Sequence, residues 1–189
     1  SAHVIFLTSA SKSFPLWNQK SAPDADTPVF WDYHVLLVLD GRVYDHDTRL
    51  PWGIPLQEYL EKAIRPEFPY SPAAAAAAGV ATYLPTKFRP VFRVVPVASY
   101  LACFSSDRRH MQSSKEPPPP WGLIRGADAR SNHCLPSYWH VPEELQEMEA
   151  SSERGASQQQ QPAASGAEQQ NRICNMAAFV QWCSSQQTR

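Results

Sequence analysis

Short apolar runs punctuated by turn-forming residues dominate the first half of the chain, and their lengths and spacings select strand or helix. Residues 4–8 form a β-branched and aromatic run of strand length, residues 9–13 a turn, and residues 14–17 a strand expected to pair back onto the first. Residues 21–27, with Pro and Asp, read as a loop. Between residues 29 and 45 two apolar arms flank Asp40-Gly41, whose glycine tolerates positive φ, so this stretch is predicted to be one hairpin. With Asp40 and Gly41 as its two-residue loop, Leu39 faces Arg42, Val38 faces Val43, Leu36 faces Asp45 and His34 faces Asp47.

Helical spacing appears next. After Pro55, the residues Leu56, Tyr59, Leu60, Ala63 and Ile64 fall on one stripe, which Arg65-Pro66 ends. Ser71-Pro72, six alanines and Gly79 supply a cap, a first-turn proline and a terminator for a short helix with little to bury. Residues 91–97 read as a strand that Pro90 and Pro96 push toward an edge or a bulge, and Ser99 is the expected cap of a helix whose apolar members are Tyr100, Leu101 and Phe104. Prolines 117–120 hold the chain extended as a stiff connector. Residues 146–172 contain no aromatic or branched aliphatic side chain, so burial cannot offset the entropy of ordering them, and a disordered insertion is expected. Beyond it Asn175 caps a helix whose Met176, Phe179, Val180 and Cys183 pack back onto the sheet. The expectation is a single domain over residues 1–189, α/β of the α+β type, with a mainly antiparallel sheet flanked by helices. Because the first core run begins with almost no lead-in, the domain is expected to be incomplete at its N-terminus.

Composition narrows the function. The 189 residues are 43% hydrophobic, with six Trp, seven Tyr and eight Phe, enough to fill one core. Formal net charge is −1, and no five-residue cluster of Lys and Arg occurs, so nucleic acid and lipid surfaces are not expected partners. No window approaches the ~20 apolar residues of a membrane span. Cys103, Cys134, Cys174 and Cys183 are scattered, without a CxxC pair, and no Asn-x-Ser/Thr acceptor occurs. These features point to a reducing compartment, the cytoplasm and with it the nucleus, and to a monomer. His133, Cys134 and His140 lie close in sequence but not at the spacing of a closed zinc motif, so neither a metal nor a cofactor is expected. Arg108, Arg109 and His110 read as a solvated basic corner.

The candidate chemistry lies on the hairpin. His34 interrupts an apolar strand, Asp47 stands opposite it in the predicted register, and Asp45 stands on the diagonal, where backbones are roughly 7–8 Å apart and side chains can meet. Either acid can orient the imidazole. Alone, a histidine on an apolar strand is more often a core residue satisfied by one hydrogen bond.

Five segments in order change that weighting. Trp31-Asp32-Tyr33-His34-Val35, Tyr44-Asp45-His46-Asp47-Thr48, Phe92-Arg93-Val94-Val95 with Ser99-Tyr100-Leu101, Ser106-Asp107-Arg108-Arg109-His110-Met111, and Glu116 with the four prolines after it resemble the motifs of the protein N-terminal glutamine amidohydrolase, or WDYHV, family. The resemblance implies a papain-like or transglutaminase-like core. It also implies a Cys-His-Asp triad that hydrolyses the side-chain amide of an N-terminal Gln in proteins and peptides, releasing ammonia and leaving an N-terminal Glu for arginylation-dependent degradation. By motif position it makes His34 the base and Asp45 the orienting acid. The family's nucleophilic cysteine precedes the segment matching residues 4–8, where this chain has no residue. The alternative is therefore a shortened product acting as a binding module, and a third reading is another papain-like activity such as transglutamination. Asp32 and Asp107 are nominated, on charge alone, to hold the substrate's α-ammonium.

Overall fold

A computed structural model describes residues 1–107, 122–145 and 172–186. Its strands are β1 (Ala2–Thr8), β2 (Phe14–Leu16), β3 (Val29–Trp31), β4 (His34–Leu39), β5 (Arg42–Tyr44), β6 (Ile54–Pro55), β7 (Val91–Pro96), β8 (Ser105–Asp107), β9 (Leu123–Arg125) and β10 (Arg172–Cys174). Six of them form an antiparallel sheet in the order β10-β7-β1-β4-β5-β6. β1 is buried along most of its length because both faces are covered, which is why its sequence is a continuous apolar run and not an alternation. Ile5 and Leu7 point to the larger cluster, shared with α1 (Leu56–Tyr59), the π-helical turn Leu60–Ile64 and α5 (Met176–Gln186). Val4 and Phe6 point to a smaller one, where Tyr100 of α3 (Val97–Cys103) and Tyr138 of α4 (Leu135–Tyr138) pack. The short helix α2 (Pro72–Ala78) has the predicted Ser71 cap, whose side chain accepts from the Ala74 N–H, and ends at Gly79. The architecture is the expected α+β one.

Several local expectations are corrected. Residues 14–16 pair with β3 and not with β1, because both edges of β1 are taken by β4 and β7. The hairpin arm starting at residue 29 is broken at Asp32-Tyr33. There the Asp32 carboxylate accepts the Tyr33 N–H at 2.8 Å and the Asp32 carbonyl accepts the Thr8 hydroxyl at 3.0 Å, so β3 leaves the main sheet and β4 starts at His34. β7 is an interior strand, tolerated because Pro90 lies outside it and Pro96 is its last residue. Ser99 sits inside α3, which starts directly after Pro96 without a side-chain cap, and Leu101 faces solvent. Arg172, expected at the end of a disordered insertion, forms with Ile173 and Cys174 the strand β10 on the edge of β7. Residues 146–171, the proline run and the basic corner at 108–110 lie outside the described residues.

Candidate active site

β4 alternates strictly, with His34, Leu36 and Val38 buried and Val35 and Leu39 at the surface. His34 is paired with Leu7, so the imidazole lies on the Ile5–Leu7 face. The turn at Asp40-Gly41 has positive φ at both residues, 47° and 70°, as a two-residue hairpin loop of matching twist requires. The register from Leu39–Arg42 to Val38–Val43 is the predicted one, continued by Leu37–Tyr44.

Pairing stops at Tyr44. Beyond it the chain bends, with Asp45 Oδ1 accepting the Asp47 N–H at 2.9 Å, and this bend swings the Asp45 carboxylate onto His34, Oδ1 to Nε2 at 3.0 Å. The structure thus brings Asp45, not Asp47, onto the ring: the two-for-two ladder that would have set Asp47 opposite His34 ends too early. Asp47 stays exposed, although one of its oxygens lies within 4.8 Å of the ligand atoms of the other two. The buried pair has little water around it, His34 and Asp45 each being 3% exposed. The second oxygen, Oδ2, accepts the Tyr59 hydroxyl at 2.7 Å. An ionised carboxylate only accepts, so His34 Nε2 carries the proton of this contact. Nδ1, the other ring nitrogen, makes no hydrogen bond among the described residues. A neutral imidazole held in this way offers Nδ1 as a base.

Electrostatics agree with the geometry. Burial by itself would raise the Asp45 carboxyl, but the hydrogen bond and charge of His34, with the Asp47 N–H and the Tyr59 hydroxyl, outweigh it and hold the carboxyl below its ordinary value. Burial, followed by the adjacent Asp45 charge, pushes the Tyr59 phenol well above its ordinary value, so it remains a donor.

A second loop pins the bend. The Lys20 N–H donates to the Asp47 carbonyl at 2.7 Å and its ammonium to the His46 carbonyl, while Gln19 bridges to Thr48. Arg49 donates from Nε to the Gln19 carbonyl at 2.9 Å and from Nη2 to the Ala22 carbonyl. The Trp17 N–H donates to Ala63 at 3.0 Å, which joins this loop to the helix that carries Tyr59. Above the imidazole lies the Trp31 ring, centroids 4.8 Å apart.

The other nominated residues are dispersed. Asp32 is exposed at the β3–β4 break, and Asp107 ends β8, where its N–H donates to His133 Nδ1 at 3.4 Å. None of the four thiols is hydrogen-bonded to His34: Cys174 and Cys183 are in the core, Cys103 is exposed on α3, and Cys134 accepts the Ser105 N–H. His133, Cys134 and His140 are not brought together as a metal-binding group among the described residues. Tyr59 was legible only as a member of a helix stripe. The signal that it is more was a phenol among aliphatics, since a buried Tyr hydroxyl needs a partner. Trp31 was marked only as the first residue of the Trp31–Val35 motif, and Arg49 carried no comparable mark.

The model of the N-terminal glutamine amidase family matches residues 1–161. Proteins named protein N-terminal glutamine amidohydrolase from Bos taurus and Homo sapiens are each 36% identical over 139 residues, 69% of this chain and 60% of theirs. The one from Caenorhabditis elegans is 37% identical over 129 residues, 64% of each. The chain therefore spans about three fifths of the length of these curated relatives.

Proposed function

The chain belongs to the N-terminal glutamine amidase family, and on that premise we propose that His34 and Asp45 are the base and the orienting acid for hydrolysis of an N-terminal glutamine side-chain amide. The observation that carries this reading is the buried Nε2–Oδ1 contact of 3.0 Å, which leaves Nδ1 as the proton-accepting nitrogen. The reading takes the nucleophile to be a thiol other than the four of this sequence, none of which is hydrogen-bonded to the imidazole. Nδ1 removes the thiol proton, and the thiolate attacks the amide carbon. The tetrahedral intermediate collapses as the imidazolium returns the proton to the leaving nitrogen, so ammonia departs and a thioester remains. Water, deprotonated by His34, then hydrolyses the thioester to glutamate. Asp45 holds the tautomer throughout and stabilises the imidazolium.

The substrates on this reading are peptides and proteins with N-terminal Gln, engaged by a monomer in the cytoplasm or nucleus, without nucleic acid or membrane. The glutamate product feeds arginylation-dependent degradation. Asp32, two residues before His34, and Asp107 are the nominated counter-charges for the α-ammonium. The test is ammonia release from Gln-initiated, Asn-initiated and internal-Gln peptides by a form extended at its N-terminus. Turnover of the Gln-initiated peptide alone is expected. His34→Ala should abolish it, and Asp45→Asn should lower it on the order of 10⁴-fold, against a much smaller loss for Asp47→Asn. Retained turnover in His34→Ala, or equal losses at the two acids, overturns the assignment.

A further inference from the structure

Tyr59 is the last residue of α1, fully buried, on a helix whose next turn is not α-helical. From Leu60 to Ile64 the chain widens into a π turn, closed by the Arg65 N–H donating to the Leu60 carbonyl at 2.8 Å. Tyr59, Leu60, Ala63 and Ile64 are all buried across this junction. A phenylalanine would fill the same space. What the hydroxyl adds is the 2.7 Å bond to Asp45 Oδ2.

The carboxylate of Asp45 accepts from three directions: the imidazole on β4, the Asp47 N–H of the bend, and the phenol on the helix. Three donors on separate elements fit only one orientation of the carboxylate plane. Without the phenol, one buried oxygen loses its partner, and leaving such a group unsatisfied costs about 1–3 kcal/mol. Rotating the plane to recover a partner takes the other oxygen off Nε2.

We propose that Tyr59 is a positioning residue: its hydroxyl fixes the plane of the Asp45 carboxylate, and through it the Nε2–H tautomer of His34 that leaves Nδ1 open for chemistry. The geometry stands without the amidase reading, but its consequence for catalysis rests on that reading.

The test needs no turnover. In the 189-residue chain, side-chain ¹⁵N NMR of histidine reads the tautomer of His34 directly. The wild-type ring should be a single Nε2–H tautomer when neutral. Tyr59→Phe, which keeps the ring and removes the donor, should give mixed tautomers, because the carboxylate plane can then turn its oxygen away from Nε2. Should Tyr59→Phe fail to fold, 4-fluorophenylalanine at position 59 fills the space of the hydroxyl without its proton and should give the same mixture of tautomers. A His34 tautomer unchanged in the folded Tyr59→Phe chain, or unchanged with 4-fluorophenylalanine, overturns the proposal. An extended form without amidase turnover whose His34 still responds to position 59 would defeat the amidase reading and leave the role of Tyr59 intact.

Discussion

Asp45 is a charged group placed where water scarcely reaches it, and it stays ionised because three donors replace the lost hydration. This has a direct consequence for acid stability. Its folded carboxyl titrates below the ordinary value of about 3.9, so the native state binds this proton less readily than the unfolded chain does. The stabilisation is fully present above pH about 4–5 and is lost as pH falls through the depressed native value. Urea midpoints measured between neutral and acid pH should therefore fall less steeply for Asp45→Asn than for wild type. An unchanged slope would show that the carboxylate gains nothing from folding. At this scale the sequence was informative where a motif spelled the residue out, as for His34 and Asp45, and uninformative where the role depends on a partner from another element. The sequence around Tyr59 reads as a hydrophobic stripe, and nothing local in it names Asp45 as the group its hydroxyl will meet.

Elements were legible in proportion to how local their determinants are. The Asp40-Gly41 turn, the Ser71 cap, the stripe after Pro55 and the Asn175 cap, whose side chain accepts from the Ala178 N–H at 3.0 Å, depend on neighbouring residues and formed where the pattern put them. Pairing partners did not follow from pattern alone. The partner of β2 depended on which edges of β1 were already occupied, and β10 is too short to stand out before β7 offers it an edge. The stacking of Phe179 on Phe92, centroids 3.9 Å apart and planes 2° from parallel, is one contact that fastens α5 to the sheet. Phe179→Ala should cost about 3–5 kcal/mol, read as a lower urea midpoint at unchanged slope. A loss below about 1 kcal/mol would mean that α5 is held elsewhere.

For the molecule as a whole, two apolar clusters on opposite faces of one sheet make unfolding a shared event, and the cysteines can report it. Burial pushes the Cys174 thiol up to about 11 and the Cys183 thiol up to about 12, whereas Cys103 lies at the surface. With iodoacetamide at neutral pH, Cys103 should be alkylated at once, and Cys174 and Cys183 should react together, at the rate of global opening. Separate rates for those two would reveal that β10 and α5 detach independently. The hairpin has one more consequence, in time rather than space. His34 and Asp45 sit eleven positions apart on the arms of a single turn, so bringing them together costs the entropy of a short loop. Hairpins of this kind close within roughly 1–10 microseconds, long before β7 and β10, drawn from far along the chain, can dock. The buried imidazole–carboxylate pair is thus carried by a compact cassette of about a dozen consecutive residues, expected to close first and to be enclosed afterwards by the rest of the fold.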